Sequence, residues 1–146
     1  MTVDRSFVER NRTSTKRMRV LAERLSDEEL LQLVGNQWTV ASTLAHIAFW
    51  DLRVLHVLDA TERNNKLTTQ EIDISLNDIA LPLWKAILPR EAARIAVETA
   101  EKLDKRLESF PSALLEEVCA RTERWVIRAL HRNAHLDAID TALRRS

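Results

Sequence analysis

The stretch Val40-Ala41-Ser42-Thr43-Leu44-Ala45-His46-Ile47-Ala48-Phe49-Trp50-Asp51-Leu52-Arg53-Val54-Leu55-His56-Val57-Leu58-Asp59-Ala60 decides the fold. It is apolar almost all round and has no glycine or proline. Its spacing predicts a helix over Val40–Ala60 that sits inside a bundle rather than on its surface. A polar side chain on such a helix either lies on a narrow wet edge or has a task inside. His46 shares a face with Ser42, Thr43, Trp50 and Arg53 at helical spacing. Small hydroxyls, an aromatic ring and a cation together suit the wall of a polar pocket. His56 is ten residues further on, about 15 Å along the axis. It is too far to share a metal with His46 and is assigned to the surface or a helix end.

Upstream, Trp38-Thr39 introduces this helix, and Gly35-Asn36 suits a left-handed stop before it. Ser26-Asp27-Glu28-Glu29 has the form of a capping box and predicts a short helix over Asp27–Val34. A first helix over Asp4–Leu25 carries Phe7, Met18, Leu21 and Leu25. Downstream, Glu62–Ile72 reads as the one long loop, followed by a helix over Ile74–Ile87 that tolerates or bends at Pro82. Further helices are predicted over Arg90–Glu108, over Leu114–Cys119 with Ser112 as an N-cap, and from Thr122 or Glu123 to Leu143. The expected fold is all-α: a single-domain four-helix bundle over 1–146, antiparallel in its main helices, with short additional helices.

Composition narrows the function classes. One glycine and three prolines leave little material for hairpin turns. The 22 basic residues balance 22 acidic ones, so there is no footprint for nucleic acid or an anionic membrane. The basic cluster Arg5–Arg19 is flanked by Asp4 and interrupted by Glu9, which reads as a solvated helix face. The single Cys119 excludes an intramolecular disulfide and lies in an apolar helical stretch, as a small buried hydrophobe would. No apolar run is long enough for a bilayer or a signal peptide, so a cytoplasmic protein is expected.

The chain holds four histidines. His131 and His135 are four residues apart and stand about one turn apart on one helix face. With His46 from another helix they make a three-nitrogen set that leaves metal positions open, the ligand number of a catalytic zinc site. Zinc proteases use the same spacing, but here Arg132-Asn133-Ala134 fills the gap and no glutamate stands between the ligands. Two surface histidines on a polar helix edge would give the same spacing, and the residues alone leave both readings open.

The residues around these histidines carry a resemblance. Leu25-Ser26-Asp27-Glu28-Glu29-Leu30 with Gln37-Trp38-Thr39-Val40-Ala41-Ser42-Thr43-Leu44-Ala45-His46-Ile47-Ala48-Phe49-Trp50-Asp51 resembles the DinB-like superfamily of four-helix bundles. His131-Arg132-Asn133-Ala134-His135-Leu136-Asp137 is similar to its closing motif, and Asp73, Asn77 and Leu81-Pro82-Leu83-Trp84 to its middle helix. The resemblance implies that His46, His131 and His135 bind a divalent metal, zinc or nickel. It also implies kinship with mycothiol-dependent maleylpyruvate isomerase and with transferases using mycothiol or bacillithiol, and it suggests a homodimer. The chain departs from the pattern at Ala134, where many relatives carry an acidic residue.

Three readings of function follow. The first is a metal-dependent thiol transferase-like enzyme, in which a low-molecular-weight thiol attacks a small-molecule electrophile. His46, His131 and His135 hold the metal, Arg53 and Arg128 (or Arg124) hold anionic groups, and Trp50 forms an apolar wall. The second is a metal-dependent hydrolase with Asp73 or a loop residue as base. The third is a non-catalytic bundle that binds a ligand or partner.

Overall fold

The apolar run forms one helix, α3 (Val40–Asn64), in a computed structural model that describes residues 3–144. Three other long helices surround it: α1 (Phe7–Arg24), α5 (Pro89–Glu108) and α7 (Ala129–Arg144). Both α3 and α1 pack against α5 and α7, so the four close a ring, as the predicted bundle requires. The small Ala92, Ala93, Ala96 and Ala100 on the buried face of α5 let α3 come close. The additional helices are α2 (Asp27–Leu30), α4 (Leu76–Ala86) and α6 (Ser112–Arg121).

The core has two apolar parts. One gathers Met18, Leu21, Leu44, Ile47, Trp84, Leu136 and Ile139, and the other Phe7, Val54, Leu58, Leu103, Leu107, Leu115 and Val126. A buried polar layer separates them: Asn11, Ser14 and Thr15 on α1, Asp51 on α3, Arg128 just before α7 and Arg132 on it. Asp51 accepts from Arg128 Nε at 2.8 Å and from Arg132 Nε at 3.0 Å, and Arg132 Nη1 donates to Asp104 at 2.9 Å. Each buried charge therefore has an opposite partner, which is the condition for tolerating charge in a core.

Several expected boundaries move. The capping box of Ser26 and Glu29 forms, but its helix ends at Leu30 instead of Val34. Leu33–Val34 (β1) instead pairs antiparallel with Trp38–Thr39 (β2), so the nearly glycine-free chain still contains one small hairpin. Gly35 at φ +82 supplies its turn. A second, unforeseen capping box joins Thr39 and Ser42 and starts α3. At its far end α3 runs through Asn64 rather than stopping at Ala60, and Asn65 ends it in the left-handed conformation.

The last helix starts at Ala129, well after the expected Thr122 or Glu123. Thr122 is extended and Glu123–Trp125 make a single 3₁₀ turn. The buried Asn11 on α1 explains the late start: its amide donates to the Val126 carbonyl at 2.8 Å and accepts from the Ala129 amide at 2.9 Å. A side chain 118 residues away thus caps the helix that carries two of the candidate ligands.

Candidate metal centre

Helix α3 carries His46, which its neighbours bury almost completely, at 4% exposure. The delayed start of α7 places His131 and His135 opposite it. His46 Nε2 lies 3.2 Å from His131 Nε2 and 3.0 Å from His135 Nε2. Metal–nitrogen bonds of about 2.0–2.1 Å, at angles from square to tetrahedral, hold nitrogens about 2.9–3.4 Å apart. The donor set therefore fits a divalent ion. Among the described residues, these three side chains are the group able to hold a metal.

Burial keeps the imidazoles neutral, the form that binds metal. It pushes His46 down to about 4, helped by the nearby His135. His131 falls to about 2 through burial and the adjacent Arg128 cation, and His135 is lowered by burial and Arg124. Trp38 and Trp84 meet His46 edge-on, each with ring centroids 5.3 Å away. His46 Nδ1 is buried and has no hydrogen-bond partner among the described residues.

Arg128 Nη2 approaches His131 Nδ1 at 3.3 Å. A guanidinium only donates, so Nδ1 accepts here and the ring hydrogen lies on Nε2. For Nε2 to serve a metal, that hydrogen must leave. The contact is longer than those Arg128 makes to Asp51 at 2.8 Å and to the Arg124 carbonyl at 3.0 Å, so it is the one that yields.

A cavity of about 620 Å³ opens onto the three histidines. Trp50, Arg53 and Arg128, expected at the site, all line it, as does Thr43. Ser42, placed on the same face from sequence, is occupied instead in capping α3. Trp50 is pinned by its Nε1–H bond to Asn77 Oδ1 at 2.9 Å. Arg53 donates to the Gln70 carbonyl at 2.6 Å and lies over the Trp125 ring at 4.7 Å, so it ties down the long loop. Arg128, expected to meet a ligand's anion, is buried and neutralised by Asp51. Arg124, by contrast, is exposed on the cavity wall with no side-chain partner among the described residues.

His56 is exposed and stands apart from the three histidines, as expected. Asp73 does not line the cavity; its carboxylate caps the Ser75 amide at 2.8 Å, and that bond lowers its pKa. Among the described residues, no Asp or Glu lines the cavity. Sequence reading gave Trp38, Trp84, Trp125 and Asn77 no role at the site. The tryptophans did carry a signal, because all four in the chain gather here: three line the cavity and Trp84 backs His46.

No curated protein and no solved structure matches the chain. The family model of the DinB superfamily does match, over residues 10–139, a span that takes in α3 and α5 whole, most of α1 and α7, and all three histidines. With the helical ring and the histidine cluster agreeing with that match, the chain belongs to the DinB superfamily.

Proposed function

We propose that this protein is a metal-dependent thiol transferase-like enzyme, with His46, His131 and His135 holding one divalent ion, zinc or nickel. The observation that carries this reading is the convergence of three neutral imidazole nitrogens in a cavity on whose wall, among the described residues, there is no carboxylate. A divalent ion bound there supplies the positive charge that lets a thiol lose its proton near neutral pH. Hydrolysis would call for a positioned base to take a proton from water, and Asp73 lies away from the cavity. A thiol needs less help, because its ordinary pKa is about 8.5.

The chain's own residues orient the reactants. The unpaired Arg124 guanidinium binds a carboxylate of the thiol cosubstrate or of the electrophile. Trp50, Trp125, Ile72 and Ile74 hold the carbon skeleton. The thiol's S–H bond breaks, its proton passes to solvent, and its sulfur bonds to the electrophilic carbon. That carbon's displaced electron pair departs with its leaving group or, in an addition to a double bond, moves to the neighbouring atom, which takes a proton back from solvent. Cosubstrates of the mycothiol or bacillithiol kind fit this chemistry, and a reducing cytoplasm, in which Cys119 stays free, suits it.

Metal analysis after growth in replete medium, followed by cobalt substitution, tests the proposal. One equivalent of divalent ion is expected, with a cobalt spectrum that changes on adding a low-molecular-weight thiol. His131→Ala should lose the metal and keep its helical circular dichroism, whereas His56→Ala should keep both. Ester hydrolysis with no spectral response to thiols would favour the hydrolase, and a protein without metal would favour the binding bundle.

A further inference from the structure

Asp51 follows His46 by five residues on α3, and Arg132 adjoins His131 on α7. Neither lines the cavity, and both are wholly buried, at 0% exposure. The two carboxylate oxygens of Asp51 are divided between cations. Oδ1 accepts from Arg128 Nε and Oδ2 from Arg132 Nε. The Arg132 guanidinium then reaches two further helices. Its Nη1 donates to Asp104 Oδ1 on α5 at 2.9 Å, and to Thr15 Oγ1 and Ser14 Oγ on α1 at 3.1 and 3.2 Å. One planar side chain of α7 is thereby bonded to the three other long helices.

The other buried residues of α7 are Ala129, Leu136 and Ile139. Apolar contacts of that kind are non-directional, and they hold a helix on its neighbours while tolerating small rotations about its axis. The histidines tolerate much less. A side-chain tip about 5–6 Å from the helix axis sweeps about 2 Å in a rotation of about 20°. That is as much as a whole metal–nitrogen bond, about 2.0–2.1 Å. Hydrogen bonds weaken steeply away from linearity. A guanidinium bonded to Asp51 on one side and to Asp104 on the other therefore resists such a rotation. Asn11 sets where α7 begins, and Arg132 sets how it is turned.

We propose that Arg132, clamped between Asp51 and Asp104, is a positioning residue that fixes the rotation of α7 against α3 and so holds His131 and His135 at the distance from His46 that one metal ion requires. This role rests on the metal-binding reading of the three histidines. The buried charge serves the geometry of the site more than the stability of the fold, because a buried ion pair is often replaceable by neutral side chains of similar size without loss of stability.

The double variant Arg132→Met/Asp104→Asn tests it. The exchange removes the clamp and leaves no buried charge alone, because Asp51 keeps Arg128. Helical circular dichroism and melting temperature should stay close to wild type. Zinc affinity, measured by competition with a chromophoric chelator, should fall by about 10–100-fold, and the cobalt-substituted protein should show an altered ligand-field spectrum. Arg132→Lys keeps the charge but has no fork to span both carboxylates, and should weaken zinc in the same way. A metal-free readout separates this role from the metal reading. The His46 and His135 rings, with centroids 4.5 Å apart, should give nuclear Overhauser contacts in the apo wild type that weaken in both variants. If wild type shows these contacts yet binds no zinc, the metal reading fails and the positioning of α7 by Arg132 stands. Wild-type zinc affinity and ring contacts in a folded variant overturn it, as does a wild type without the contacts. If one variant fails to fold, the other decides. If both fail, the clamp is a condition of the fold itself and the positioning role falls.

Discussion

Individual side chains divide the cations of the cavity by what each already holds. Arg128 is bound to Asp51 and Arg53 to the Gln70 carbonyl and the Trp125 ring, which leaves Arg124 with an open guanidinium. Arg124→Ala should therefore raise KM for an anionic cosubstrate about tenfold, the ~1.4 kcal/mol of one exposed charged contact, with little change in kcat. Metal content should stay at the wild-type level, which separates loss of binding from loss of the site. An unchanged KM would remove Arg124 from substrate recognition. The sequence offered Arg128 or Arg124 alike as a holder of anionic groups, and the buried Asp51 distinguishes them.

Elements are positioned by caps, and these differ in how far they reach along the chain. Ser26–Glu29 was legible because both partners lie within one turn. Asn11 was not, because it caps α7 from α1. Asn11→Ala should cost about 1–3 kcal/mol, since it leaves the buried Val126 carbonyl and Ala129 amide unpaired. The amides of residues 126–129 should lose hydrogen-exchange protection more than those of α5. Metal affinity should fall as well, because His131 stands in the first turn after this cap. Uniform loss of protection across the bundle would mean that Asn11 contributes only to global stability.

At the scale of the whole molecule, stability should depend on pH through the three histidines. His46 at about 4 and His131 at about 2 lie below the ordinary 6.5, so between those values the unfolded chain binds more protons than the folded one. Their contribution is fully present above pH 6.5 and is lost as pH falls toward 4. For His46 the limit is on the order of 3 kcal/mol. Asp104, raised by burial, acts in the opposite sense at the acid end of this range. Thermal melts of the metal-free protein should show Tm falling from pH 6.5 to 4, and the triple His→Gln variant should flatten the curve. An equal slope in that variant would rule out the histidines as its source.

The sequence by itself determined the helical class, the central α3 and the three histidines. These rest on periodicity and on i, i+4 spacing, which are properties of neighbouring residues. Tertiary structure decided what depends on partners outside the segment itself, some just across a turn and others far along the chain. Leu33 and Val34 became strand because Trp38 and Thr39 pair with them across a left-handed glycine. Arg128 and Arg132 became core because Asp51 and Asp104 neutralise them from other helices. The start of α7 followed Asn11, and with it the placing of His131 against His46. A helix face can be read from one segment, but a buried charge or an unsatisfied amide is resolved only by the group that meets it in space.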